Sequence, residues 1–121
     1  SRNKERTEKL IANTGSEITK DRLRHYKLLF SKPNHVKGTL KLMAEWNLSE
    51  FLSNLKNCKS SINFLVGNLD KTVPIGVSKK WSQILPRTKY HEISGAGHLV
   101  HEEKPYEVSQ IILNHLQDTK K

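Results

Sequence analysis

Residues 62–101 read INFLVGNLDKTVPIGVSKKWSQILPRTKYHEISGAGHLVH, and this stretch decides the fold. Ile62-Asn63-Phe64-Leu65-Val66 is an apolar run that ends in a turn carrying Asp70. A second strand-like run at residues 90–93 ends in Ser94-Gly95-Ala96-Gly97-His98. Phe64-Leu65-Val66 lacks polar alternation, which suits a strand covered on both faces in a parallel sheet. Between the two runs, Pro74 can open a helix at its first position, with Val77, Trp81, Ile84 and Leu85 on one face and Pro86 as its end. Strand, helix, strand therefore aims Asp70 and His98 at one place. Ligands of α/β sheets bind beyond the carboxyl ends of the strands, and glycines at 95 and 97 let the backbone turn sharply enough to aim an imidazole. A carboxylate there can orient the imidazole and hold its tautomer.

Working outward, residues 105–116 repeat apolar positions at Val108, Ile111 and Ile112, with His115 on the same face, as a last helix. Upstream, Asn47 with Glu50 three residues on forms a capping-box start, followed by Leu48, Phe51, Leu52 and Leu55. Val36, Leu40, Met43 and Ala44 share one face of a helix that ends near Trp46. Leu23, Tyr26 and Phe30 mark another, with Thr19 as N-cap and Asp21 in its first turn. A break at Ser31-Lys32-Pro33-Asn34 separates these two. Residues 1–16 are charged and polar apart from Leu10-Ile11-Ala12, and 1–18 read as a tail or linker. The pattern is α/β, with helices preceding the strand, helix, strand, helix order.

The chain has 121 residues, enough for one domain, and its apolar content of 35% is thin for a self-sufficient core. A partial domain is the expectation. Its formal charge of +9 attracts anionic partners, yet the basic residues are scattered and not interleaved with aromatics, which argues against nucleic-acid binding. Lys79-Lys80 and Lys120-Lys121 read as solvated charge. The single Cys58 excludes an internal disulfide and a multi-cysteine metal site and suits a reducing, cytoplasmic compartment. No apolar run approaches the roughly 20 residues of a membrane span.

GNLDKTVP after a buried strand and SGAGHLVHEEKP before the last helix resemble the end of the α/β-hydrolase fold. Members of that superfamily carry a nucleophile, an acid and a histidine in that chain order. The resemblance implies that Asp70 is the acid and His98 the general base. Upstream, TGSEITKDRLRHYKLLFSKPNHVKGTLKLMAEWNLSEFL is similar to the cap of the magnesium-chelatase accessory hydrolases, a subgroup associated with bacteriochlorophyll synthesis, so the likeness extends over residues 11–116. It implies a helical cap or lid at 19–46 and the C-terminal part of the hydrolase core, with the last two parallel strands, at 47–121. No G-x-S-x-G elbow occurs, so the nucleophile, Ser or Asp, is absent from these residues. The expected function is hydrolysis of an ester or related bond in a small apolar substrate by the complete protein, without a cofactor. Met43 and Trp46 under the lid, and Val73 and Leu99 beside the acid and base, are candidate substrate contacts.

Three other readings stand beside this one. Asp70 can be a turn cap and His98 a structural histidine. His98 and His101 form H-x-x-H beside Glu102-Glu103, but the pair precedes any predicted helix, so no common face gathers metal ligands and no metal is expected. His25, His35, His91 and His115 read as surface or half-buried. The chain can also be a non-catalytic fragment that docks onto a complementary N-terminal half through its open sheet edge.

Overall fold

The computed structural model describes residues 2–118, with side chains from Glu5 onward. The Lys120-Lys121 pair lies outside the described residues. Seven helices and two strands are present among them: α1 (Arg2–Asn13), α2 (Lys20–Phe30), α3 (Pro33–Ala44), α4 (Leu48–Lys56), β1 (Ile62–Gly67), α5 (Ile75–Ile84), β2 (Thr88–Ile93), α6 (Val100–Glu103) and α7 (Pro105–Asp118).

β1 and β2 pair in parallel, in a register running from Ile62 opposite Thr88 to Gly67 opposite Ile93. A parallel pair needs a crossover, and α5 supplies it, packing on both strands. Helices joined to a small parallel sheet make the architecture α/β. The core lies at the carboxyl end of β2: Ile93, Ala96, Val100 and Val108 are buried together, with Leu65 and Ile111 packed against them. The turn that carries His98 is thus rooted in this hydrophobic cluster.

Several local expectations are met. Thr19 caps α2, its side chain accepting the Arg22 N–H, and Asn47 and Glu50 form the reciprocal cap of α4, with the Glu50 N–H on Asn47 Oδ1 and Asn47 Nδ2 on Glu50 Oε2, both at 3.3 Å. Lys79 and Lys80 are exposed, and His25 and His35 are exposed while His91 and His115 are half-buried.

Other expectations are corrected. The stretch read as a polar tail contains helix α1. Its Lys, Glu and Arg residues are good helix formers, and Thr7 and Ile11, one turn apart, are buried where α1 packs on α2. An ion pair between Glu8 and Lys27 ties the two helices, and that contact holds the Glu8 carboxyl below its ordinary pKa. Pro33 begins α3 rather than separating it from α2, because proline is well suited to the first helical position. Pro74 stands one residue earlier than expected, as the N-cap of α5. Phe64 and Leu65 are half-buried, and only Val66 of that run is fully buried, since the sheet has two strands. No residue of α3 or α4 is buried, so their apolar faces, including Leu40, Met43, Leu48 and Phe51, are open. Among the described residues no helix is long and apolar enough to cross a membrane.

Candidate functional site

The turn after β1 and the turn after β2 meet. Asn68 donates its N–H to the Ile93 carbonyl at 3.0 Å and its side-chain oxygen accepts the Gly95 N–H at 2.8 Å. Leu69 N–H reaches the Ala96 carbonyl at 2.9 Å. Two strand ends already held side by side are stitched through their loops. Gly95 adopts φ +67°, the left-handed conformation a glycine accepts without strain.

This stitching brings Asp70 and His98 together. His98 Nδ1 lies 2.9 Å from Asp70 Oδ2, while Asp70 Oδ1 accepts the N–H groups of Thr72 at 2.8 Å and Val73 at 2.9 Å. The Asp70 side chain is 8% exposed and the imidazole 38% exposed. Burial by itself raises the carboxyl pKa, but the hydrogen bonds from His98, Val73 and Thr72 outweigh it and leave Asp70 below its ordinary value. The Asp70 carboxylate thus accepts two backbone N–H groups on one oxygen and faces the imidazole with the other. In the tautomer that places the ring proton on Nδ1, toward the carboxylate, Nε2 carries the lone pair and the exposed ring can take a proton from a group in front of it. This is what a general base requires, with the carboxylate ready to balance the imidazolium.

A third segment, not anticipated from the sequence, closes the site. Just beyond α1, the Thr14 carbonyl accepts the N–H groups of both Lys71 at 3.1 Å and His98 at 3.3 Å. The approach leaves no room for side chains. Gly15 has φ +82° and a Cβ there would lie 2.0 Å from the Leu69 carbonyl oxygen, while a Cβ on Gly97 would lie 2.3 Å from the Gly15 carbonyl carbon. Ser16, 4% exposed, accepts the Leu99 N–H on its hydroxyl at 2.8 Å. Glu103 Oε2 accepts the Gly97 N–H and Oε1 the Glu17 N–H, both at 2.8 Å. Next to it, Glu102 pairs with Arg22 and, at 3.4 Å, accepts the Tyr26 hydroxyl of α2. Burial, and then the Glu102 carboxylate, raise the Tyr26 phenol above its usual pKa. Asn68, Thr14, Ser16 and Glu103 are the residues that sequence reasoning missed. The turn-forming Thr-Gly-Ser run was the one available signal.

The other candidates fall into two places. Val73 and Leu99 are half-buried at the pair, and both give their N–H groups to the site's hydrogen-bond network. Trp46, 57% exposed, lines a groove of about 290 Å³ with Asn47, Leu48 and Phe51, and Met43 is exposed on α3 one turn before it. Neither Asp70 nor His98 lines that groove. His101 is exposed and belongs to α6, a helix the sequence did not announce, so H-x-x-H spans a turn and the start of a helix. Among the described residues no three His, Cys, Asp or Glu side chains are grouped to hold a metal ion.

No protein-family model matches the sequence. Over 114 residues the chain is 33% identical to the magnesium-chelatase 30 kDa subunit of Rhodobacter capsulatus. The chain is a relative of that subunit. The alignment covers 94% of this chain and 40% of the magnesium-chelatase subunit, so it includes the segments that form the pair and the Thr14–Ser16 connector within a relative of more than twice the length.

Proposed function

We propose that the chain supplies the acid and the base of a nucleophile-His-Asp triad in an α/β-hydrolase-like protein that cleaves an ester or related bond in a small apolar substrate. The nucleophile belongs to a segment outside these residues, and α2 and α3 act as the cap. His98 Nε2 takes the proton of the attacking hydroxyl, and Asp70 stabilises the imidazolium through Nδ1. The imidazolium then returns the proton to the leaving oxygen, and His98 repeats the cycle with water. With an Asp nucleophile the first transfer is omitted and His98 activates only the water. The observation that carries this reading is the 2.9 Å contact between His98 Nδ1 and an Asp70 carboxylate whose other oxygen is fixed by two backbone N–H groups. Lone Cys58 is compatible with a reducing, cytoplasmic setting. In the complete protein, His98→Ala is expected to reduce hydrolysis of a short-chain aryl ester to background, and retention of parental turnover rejects the reading.

A second reading has its own support. Leu40, Met43, Trp46, Leu48 and Phe51 are all exposed, and the magnesium-chelatase relative is named a subunit. On this reading the chain is a non-catalytic piece that docks onto a complementary N-terminal half. Ester hydrolysis by the chain alone, abolished by His98→Ala, contradicts it.

A further inference from the structure

We propose that Ser16 and Glu103 are positioning residues for His98, holding the backbone on either side of it so that the imidazole stays in register with Asp70. The proposal rests on the reading of Asp70 and His98 as an acid and base. Three successive backbone donors are involved: the Gly97 N–H goes to Glu103 Oε2 at 2.8 Å, the His98 N–H to the Thr14 carbonyl at 3.3 Å, and the Leu99 N–H to Ser16 Oγ at 2.8 Å. Glu103 is itself tied to the same connector, because its second oxygen accepts the Glu17 N–H at 2.8 Å. All three donors therefore end on residues 14–17 or on a carboxylate bound to them.

The connector also holds the acid's side of the site. Thr14 accepts the N–H of Lys71, the residue after Asp70, with the same carbonyl that accepts the His98 N–H. One carbonyl thus fixes the spacing of the two turns, and the Gly15 to Gly97 backbone contact leaves no slack for them to slide. A charge-assisted hydrogen bond loses strength within a few tenths of an ångström, so a small rotation of the His98 backbone is enough to break the contact with Asp70. The Gly97 and Leu99 N–H groups are part-buried, and Ser16 and Glu103 satisfy them in the geometry that sets the ring beside Asp70. The neighbouring Glu102 faces elsewhere, toward Arg22 and Tyr26, and serves as an internal comparison.

The test is NMR on the protein, with His98 tautomer read from long-range ¹H–¹⁵N correlations and amide exchange followed at 97, 98 and 99. In the unaltered protein His98 is expected as the Nδ1–H tautomer, with the three amides protected to a similar extent. Ser16→Ala and Glu103→Gln are expected to introduce the Nε2–H tautomer and to speed exchange of those amides by about tenfold or more. Glu102→Gln is expected to leave both unchanged. Folded Ser16→Ala and Glu103→Gln variants with the parental tautomer overturn the proposal, as does an equal effect of Glu102→Gln. Should either variant unfold, the unaltered protein still decides: unprotected amides at 97–99 overturn the proposal, and joint protection upholds it. An Nε2–H tautomer in the unaltered protein contradicts the acid and base reading itself, which separates the two failures.

Discussion

Asp70 and His98 face each other at 2.9 Å from the ends of two adjacent parallel strands, and the carboxylate spends its other oxygen on the Thr72 and Val73 N–H groups. The Asp70 side chain is thus held from its own turn on one oxygen and faces the histidine turn with the other. The hydrogen bonds from His98, Val73 and Thr72 together outweigh burial and hold the Asp70 carboxyl below its ordinary pKa.

Acid should destabilise the protein through this site. Asp70 has a folded-state pKa below the ordinary value of 3.8, so the unfolded chain binds the proton first as the pH falls. Its contribution is complete above about pH 5, begins to fall as the pH nears 3.8 and is lost once the pH has dropped through the lower folded-state value. Urea unfolding at stepped pH values below 5 should show a loss of stability that is smaller in Asp70→Asn.

Glycine substitutions should divide sharply. Gly15→Ala and Gly97→Ala force a Cβ into backbone atoms 2.0 and 2.3 Å away and should cost about 2–4 kcal/mol by chemical denaturation. Gly76 in α5 and Gly38 in α3 have nothing within 4 Å of the added atom. Gly38→Ala and Gly76→Ala should stabilise by roughly 0.5–1 kcal/mol.

The core beneath the histidine turn should be sensitive to truncation. Ile93 is 3% exposed and packs with Ala96, Val100 and Val108. Ile93→Ala should cost about 2–5 kcal/mol in equilibrium unfolding and loosen the His98 turn with it.

The apolar groove should be separable from the acid and base. Replacing Trp46 and Phe51 by Ser should reduce binding of a hydrophobic dye while the His98 Nδ1–H tautomer remains, since neither residue is part of the Asp70 network. Loss of the tautomer would show that the groove and the pair are one site.

The sequence was most legible where local pattern and local chemistry coincide. The apolar run at 62–66, the Asp turn, the glycines before His98 and the caps at Thr19 and Asn47 each announce themselves within a few residues. Helix α1 was obscured because, among its described side chains, the buried ones are Thr7 and Ile11, a stripe too sparse for periodicity to register. The Thr14 to Ser16 connector was illegible for a different reason. It works through a carbonyl oxygen, a missing Cβ and one hydroxyl, on partners more than 50 residues away, and main-chain contacts of that kind leave little mark on side-chain pattern. Met43 and Trp46 are both exposed, and amphipathic spacing does not say what covers such a face.

The decisive measurement is kcat of Asp70→Asn in the complete protein, on an ester that the parent hydrolyses. Asn keeps the shape of the side chain but removes the charge that, on the proposed function, holds the Nδ1 proton and balances the imidazolium. A fall in kcat on the order of 10⁴-fold is the predicted result. Turnover within a few-fold of the parent, with the fold intact, would contradict the assignment of Asp70 and His98 as acid and base.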